Sequence, residues 1–544
     1  MSGDDLRLGR RLDPSTREPT DAHVEIASRE LTTHAVIVGM TGSGKTGLGV
    51  VLLEESLLTA VPALILDPKG DMTNLALTFP DLRPSDFLPW VDEGEARREG
   101  LTPEELAERT ARAWREGLER SGIGTERLAA LRDGVDVRVH TPGSTAAIPL
   151  NLLGDLRAPA GSGDQAWETL REEVEGLVSG LLVLAGLDTD PLTSREHILL
   201  SALVEHSWRE GRDLDLATLI TQVQSPPLRR LGVFETDAFF PPADRTGLAM
   251  RLNGLIASPS FAPWLQGEPL DVDRMLRAGD GRPRASIVYL AHLSDRERQF
   301  VVTLLLSKLV TWMRRQAGTS DLRALLYVDE LFGFAPPSAE PPSKRRLLTL
   351  FKQARAHGLG VVVATQNPMD LDYRIMSNAG TWMVGRLQTE RDKARVLDAL
   401  RSATGGVDVK AWDAHIGALG KRQFLLRTAG SDRPLLFTTR WAMSYLRGPL
   451  TRPELQRLEG ATAATEAATP PPGSAASLAD DESPLPPTTA AGVAVRYLDA
   501  ATPWARDLAS MRQTRVSGPV WPPGSISFST RPARTCGTRR SGRP

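Results

Sequence analysis

The chain has 544 residues, 41% apolar and 24% charged, which is enough for a large core and excludes wholesale disorder. Lys and Arg total 65 against 67 Asp and Glu, a formal charge of −2, so a globally basic nucleic-acid coat is excluded, although a local basic lining is not. The single cysteine, Cys536, excludes an internal disulfide framework and any multi-cysteine zinc site.

The N-terminus, Met1 to Arg11, is charged and has no apolar signal-peptide core. The longest apolar runs, 177–187 and 301–306, fall short of the roughly 18–20 residues of a membrane span. A soluble, cytoplasmic protein with no membrane contact is expected. Residues 1–30 are polar and turn-rich and read as an N-terminal extension. His34 to Gly39 reads as a buried strand, Lys45 to Leu58 as a helix, and Ala63 to Asp67 as a second buried strand stopped by Pro68. Continuous apolar strands separated by helices imply a parallel sheet covered on both faces. Residues 92–133 are charged and helical in period, and Val137 to Thr141 is a further strand candidate, so 31–150 form a first core segment.

From 151 to 279 the pattern is helical, with Leu170, Val174, Leu177 and Leu181 on one face, and an all-α insertion is expected. Strand candidates return at 286–290, 324–328, 360–364 and 382–385. A helix starts near Thr389, with Asp392 at capping-box spacing. Residues 423–426 and 434–437 read as closing strands, so 280–446 make a second core segment. Beyond it, 447–544 is expected to be a Pro/Ala-rich linker and a disordered tail. The part after Met511 holds seven arginines and no acidic residue.

Gly39-Met-Thr-Gly-Ser-Gly-Lys45-Thr46 matches G-x-x-x-x-G-K-[ST], between a buried strand and a helix. Glycines let successive amides of Gly39, Thr41, Gly42, Ser43, Gly44 and Gly47 curl toward one anion, and the helix N-terminus adds positive potential. Lys45 is expected on the β- and γ-phosphates of ATP, and the Thr46 hydroxyl on Mg²⁺. The strand Leu325 to Val328 ends in Asp329-Glu330, the Walker B arrangement. Asp329 is the expected Mg²⁺ ligand and Glu330 the base for water, since neighbouring strand side chains point to opposite faces. Gln366, just past the apolar run 361–364, is placed to sense the γ-phosphate or to position water, with a strand-end turn before Pro368 as the structural alternative. No H-E-x-x-H pattern supports a zinc hydrolase.

Five stretches resemble the HerA/FtsK class of P-loop ATPases, and most of all HerA-type ATPases: residues 39–46, Asp67-Pro-Lys-Gly-Asp71, Leu326-Tyr-Val-Asp-Glu330, residues 353–358 running into Ala364-Thr-Gln-Asn-Pro368, and residues 380–386. The resemblance covers about residues 30–445. It implies a RecA-like α/β core in a hexameric ring with ATP between subunits, translocating on double-stranded DNA, with a nuclease as partner. It carries Lys45, Thr46, Asp329, Glu330 and Gln366 into the roles above and adds Arg355 as a sensor arginine, with Arg386 as a weaker candidate. Lys344-Arg-Arg346 is weighed as a DNA-lining element against a solvated helical face. The class usually has an N-terminal β-barrel, which about 30 residues cannot make. A second reading therefore stands: an ATP-driven assembly or signalling scaffold acting through a protein effector.

Overall fold

The computed structural model describes residues 5–466 apart from 153–155, 157, 159–163, 188, 332, 388, 405–408 and 430–433. Most of the expected linker and tail, 467–544, lies outside the described residues. The fold below is that of the compact unit Met1–Ala463; of the second, 464–544, only a helix end is described.

Eleven strands form one sheet. In chain order they are β1 (Asp5–Leu12), β2 (Pro19–Ala27), β3 (Ala35–Val38), β4 (Ala63–Asp67), β5 (Asp136–His140), β6 (Arg284–Tyr289), β7 (Thr319–Val328), β8 (His357–Thr365), β9 (Thr381–Val384), β10 (Gln423–Arg427) and β11 (Leu435–Thr439). Their spatial order is β2-β1-β11-β10-β9-β3-β8-β7-β4-β6-β5. From β9 to β5 every pairing is parallel, while β10, β11, β1 and β2 add antiparallel edge strands. The mainly parallel α/β sheet expected from the sequence is present.

The parallel strands are apolar throughout because both faces are covered. On one face Ala35, Ile37, Ala63, Ile65, Leu325 and Tyr327 pack under the helix Lys45–Leu58. On the other, Val36, Val38, Leu64, Leu66, Leu326 and Val328 meet the core that holds the helix Asp295–Arg315 and the 151–279 segment. The period of two along each strand thus sorts its residues between two cores.

Residues 1–30 depart from the expected polar extension. Within them Asp5–Leu12 and Pro19–Ala27 form the β1–β2 hairpin, whose Gly9, Arg10 and Arg11 pair with Thr439, Thr438 and Phe437 of β11. Leu6, Leu8, Val24 and Ile26 are buried in the core beneath the helix Lys45–Leu58. The segment 151–279 is largely helical, but two small ladders interrupt it: Leu150–Asn151 beside Glu268–Pro269 at its base, and Arg230–Leu231 with Phe234–Glu235. Its first helix, Asp164–Leu184, docks on the core through ion pairs from Glu172 to Arg314 (2.9 Å) and Glu173 to Lys308 (3.1 Å). Within the expected linker, Arg452–Glu466 is helical.

Candidate nucleotide site

The sheet register brings three strand ends level. Val38 of β3 pairs with Thr365 of β8, Val328 of β7 pairs with Val363 of β8, and Val328 also pairs with Leu66 of β4. Residues 39, 67, 329, 330 and 366 therefore leave the sheet at one edge, the carboxyl edge where open parallel sheets gather ligand groups.

The loop after β3 starts with the Gly39 amide on the Thr365 carbonyl (3.3 Å) and the Met40 amide on the Arg386 carbonyl (2.8 Å). Gly42 and Gly44 lie at φ +79° and +100°, the left-handed geometry that turns successive amides inward as an anion nest. Gly44 is also pressed by the chain: a Cβ there would lie 3.1 Å from the Cα of Arg422. Arg422 itself, at φ +63°, donates its amide to the Ser43 carbonyl (2.8 Å), and its guanidinium stacks 4.8 Å above the Trp441 ring. The edge hairpin β10–β11 thus braces the loop. The sequence showed no periodic or motif signal for that brace.

Lys45 starts the helix and is buried, its side chain 6% exposed. Burial pulls its pKa down, against the opposing charges of Asp329 and Glu330. Its Nζ lies 4.0 Å from Glu330 Oε2. Asp329 is buried, and its Oδ1 accepts no hydrogen bond among the described residues. Burial raises its pKa to about 6, partly offset by Lys45. An uncompensated carboxylate oxygen in a buried pocket is the donor type that a hard divalent cation takes.

Glu330 sits at φ +54°, a strained backbone for a residue with a Cβ. Its Oε1 accepts from Thr365 Oγ1 (3.3 Å) and faces the Gln366 amide (3.5 Å). Its Oε2 accepts from Lys69 Nζ at 2.8 Å. Lys69 belongs to the turn after β4, held by the fully buried Asp67, whose carboxyl accepts from the amides of Gly70 (2.7 Å) and Met72 (2.9 Å). Burial, and then the charge of Asp329, raise the Asp67 pKa to about 8. The Gln366 amide oxygen accepts from Thr41 Oγ1 (2.8 Å), joining the β8 tip to the loop. Beside that bond a cleft of about 500 Å³ is lined by Met40, Thr41, Gln366, Asn367, Thr389 and Arg391.

Lys45, Asp329, Glu330 and Gln366 are therefore brought together, and Thr46 stands next in the helix. Arg355 is not among them. It is exposed in a single turn, Ala354–Ala356, before β8, at the opposite end of the strand whose tip carries Gln366. Arg386, the weaker candidate, is exposed at the end of β9 with its carbonyl on the loop. Of Lys344-Arg-Arg346, only Arg345 is solvated; its two neighbours are turned into the protein. Lys344 is fully buried, on Asp372 Oδ2 (2.9 Å) and the Ala339 carbonyl (2.9 Å), Arg346 is buried against Glu172 and Glu175, and Arg345 pairs with Glu175 (2.6 Å). Among the described residues no cluster of His, Cys, Asp and Glu has the form of a metal site.

A family model described as "Helicase HerA, central domain" matches residues 7–125. The DNA double-strand break repair helicase HerA of Pyrococcus furiosus is 23% identical over 398 residues, 71% of this chain and 61% of that protein. The chain thus spans less than two thirds of the length of the curated relative it matches. Among solved structures, VirB4 of Thermoanaerobacter pseudethanolicus is 14% identical with a TM-score of 0.46, over 81% of this chain and 97% of that one. The bacterial conjugative coupling protein TrwB, in its unbound form, is also 14% identical with a TM-score of 0.46, over 82% and 96%. The chain is similar to HerA-type P-loop ATPases, the resemblance read from its motifs.

Proposed function

We propose that this chain is an ATP-hydrolysing motor of the HerA/FtsK type that works as a ring, hexameric by resemblance, on double-stranded DNA. One observation carries the hydrolytic part. The glycine loop and the Asp329-Glu330 tip lie at the same sheet edge, with Lys45 only 4.0 Å from Glu330. A triphosphate fits on the loop amides with Lys45 on its β- and γ-oxygens. The Thr46 hydroxyl and the uncompensated Asp329 oxygen would hold Mg²⁺, which when bound offsets charge on those phosphates. Glu330 takes the proton from the attacking water, and Gln366, tied to Thr41, orients that water at the γ-phosphate end. The DNA part leans on the named activity of the HerA relative, and the nuclease partner on resemblance alone. No helix among the described residues is long and apolar enough to cross a membrane.

The scaffold reading has one observation in its favour: two of the three cations of the basic stretch 344–346, Lys344 and Arg346, are spent on internal ion pairs. A single experiment separates the two. Purified protein with Mg-ATP is followed for phosphate release, with and without duplex DNA at two salt concentrations, while light scattering reads its mass. The motor reading expects turnover, a ring-sized species and a DNA stimulation that fades with salt. Absence of phosphate release under every condition removes the ATPase assignment. Turnover indifferent to DNA leaves the scaffold.

A further inference from the structure

Glu330 has two cations within reach. Lys69 Nζ holds its Oε2 at 2.8 Å, and Lys45 Nζ waits at 4.0 Å from the same oxygen. The other oxygen, Oε1, is already occupied by Thr365 and faces the Gln366 amide. The pocket is nearly dry, with the Lys45 and Glu330 side chains 6% and 11% exposed, so charge pairing there is strong. Lys69 differs: its side chain is 38% exposed and enters from the rim. Its approach is imposed by the chain. Asp67 clamps the turn through the Gly70 and Met72 amides. Gly70 lies at φ +93°, where a Cβ would come 2.7 Å from the Tyr289 ring. Lys69 stands inside the Asp67-Pro-Lys-Gly-Asp71 stretch, where the sequence motifs assign no role to its ammonium.

We propose that Lys69 is a positioning residue that keeps Glu330 off Lys45, so that Lys45 is available to phosphate and Glu330 stays level with the β8 tip. The inference rests on the ATPase reading and deepens it. Without the Lys69 cation, the nearest positive partner for Oε2 is Lys45, one side-chain adjustment away. That pair competes directly with a triphosphate for the Lys45 ammonium. In the reaction, water oxygen bonds to the γ-phosphorus and the bond to the bridging oxygen breaks. ADP leaves with that electron pair, and the water proton passes to the Glu330 carboxylate.

The experiment is a double-mutant cycle read by equilibrium binding of a fluorescent ATP analogue with Mg²⁺, and by phosphate release. Lys69→Met is expected to weaken analogue binding roughly tenfold, within the range of coupling in one ion-pair network. Adding Glu330→Gln to it removes the competing charge and is expected to restore binding to the level of Glu330→Gln alone. Lys69→Arg, which keeps the cation, is expected to bind within about threefold of wild type. A Lys69→Met defect that persists unchanged in the Glu330→Gln background overturns the proposal, since Lys69 then acts on phosphate directly. Wild-type affinity in Lys69→Met overturns it as well. Failure of the ATPase reading looks different: wild type and Glu330→Gln then bind no analogue. Thermal melts of each variant check that the fold is intact.

Discussion

Lys45 and Glu330 face each other across 4.0 Å, yet their substitutions are expected to fail differently. Lys45→Ala removes the charge that meets phosphate, so nucleotide binding weakens and turnover falls by roughly 10²-fold or more. Glu330→Gln keeps an acceptor for Thr365 but is a poor base. It is expected to bind nucleotide while losing roughly 10²–10⁴-fold in turnover, as binding and single-turnover measurements on both variants would read. Wild-type turnover in Glu330→Gln would remove its assignment as the base. His34 carries a separate prediction. Its ring Nδ1 accepts the Val361 amide (3.2 Å), and burial lowers its pKa to about 4. The unfolded chain takes up this proton near pH 6.5 and the folded one only near 4, so this contribution to stability is present above pH 6.5 and lost as pH falls toward 4. It amounts to about 3 kcal/mol. His34→Asn retains an acceptor and does not titrate, so its denaturant midpoint should fall less than wild type's on acidification from pH 6.5 to 4.5; equal slopes would contradict this. That Lys45, Asp329, Glu330 and Gln366 would meet at one sheet edge was legible, because motif and strand end coincide. The stretch of Lys69 was singled out but its pairing with Glu330 was not legible, nor was the brace of Arg422, because these come from a buried clamp and from contacts far along the chain.

At the scale of elements, the helix Lys45–Leu58 is anchored by its polar residues as much as by its apolar ones. Glu54 and Glu55 are buried and meet the buried Arg440, just past β11, at 2.8 Å each. Glu55 also meets Arg127 at 2.7 Å and the Arg7 amide of β1 at 3.0 Å, and Glu54 accepts the amides of Met443 and Ser444. Three distant segments thus converge on one helix, and its register sets where Lys45 points. Arg440→Ala leaves two buried carboxylates short of a cation and should cost about 3–5 kcal/mol in chemical denaturation. A change under about 1 kcal/mol would show that water enters and compensates. This network explains why β1 and β2 escaped the sequence reading. Leu6, Leu8, Val24 and Ile26 face one core and Leu12 the other, amid charged residues that suit an outer strand, and the pairing partner lies more than 400 residues away. The central strands were readable because both of their faces are apolar. Lys344 and Arg346 misled in the opposite sense, because a charge run in sequence does not reveal that Glu172, Glu175 and Asp372 will surround it.

For the whole molecule the open question is where Arg355 acts. It precedes β8, and Gln366 follows it; nine strand residues at about 3.3 Å each separate them by roughly 30 Å. No side chain crosses that distance, so Arg355 cannot reach the γ-phosphate held by its own chain. If the ring reading holds, the phosphate it can reach belongs to a neighbouring copy, where a cation stabilises charge on the transferring group. Mixing two inactive variants decides the matter. In Lys45→Ala the nucleotide loop is crippled but Arg355 is intact; in Arg355→Ala the reverse holds. A mixed ring places some intact loops beside intact arginines, and one junction in four has both when the two chains mix equally at random, from simple combinatorics of about one half times one half. Phosphate release should therefore recover to about a quarter of the wild-type rate on mixing, provided that the sites fire independently. If Arg355 only supports its own fold near His34, or the protein works as separate chains, the mixture stays as inactive as its components, and a trans role for this arginine is lost.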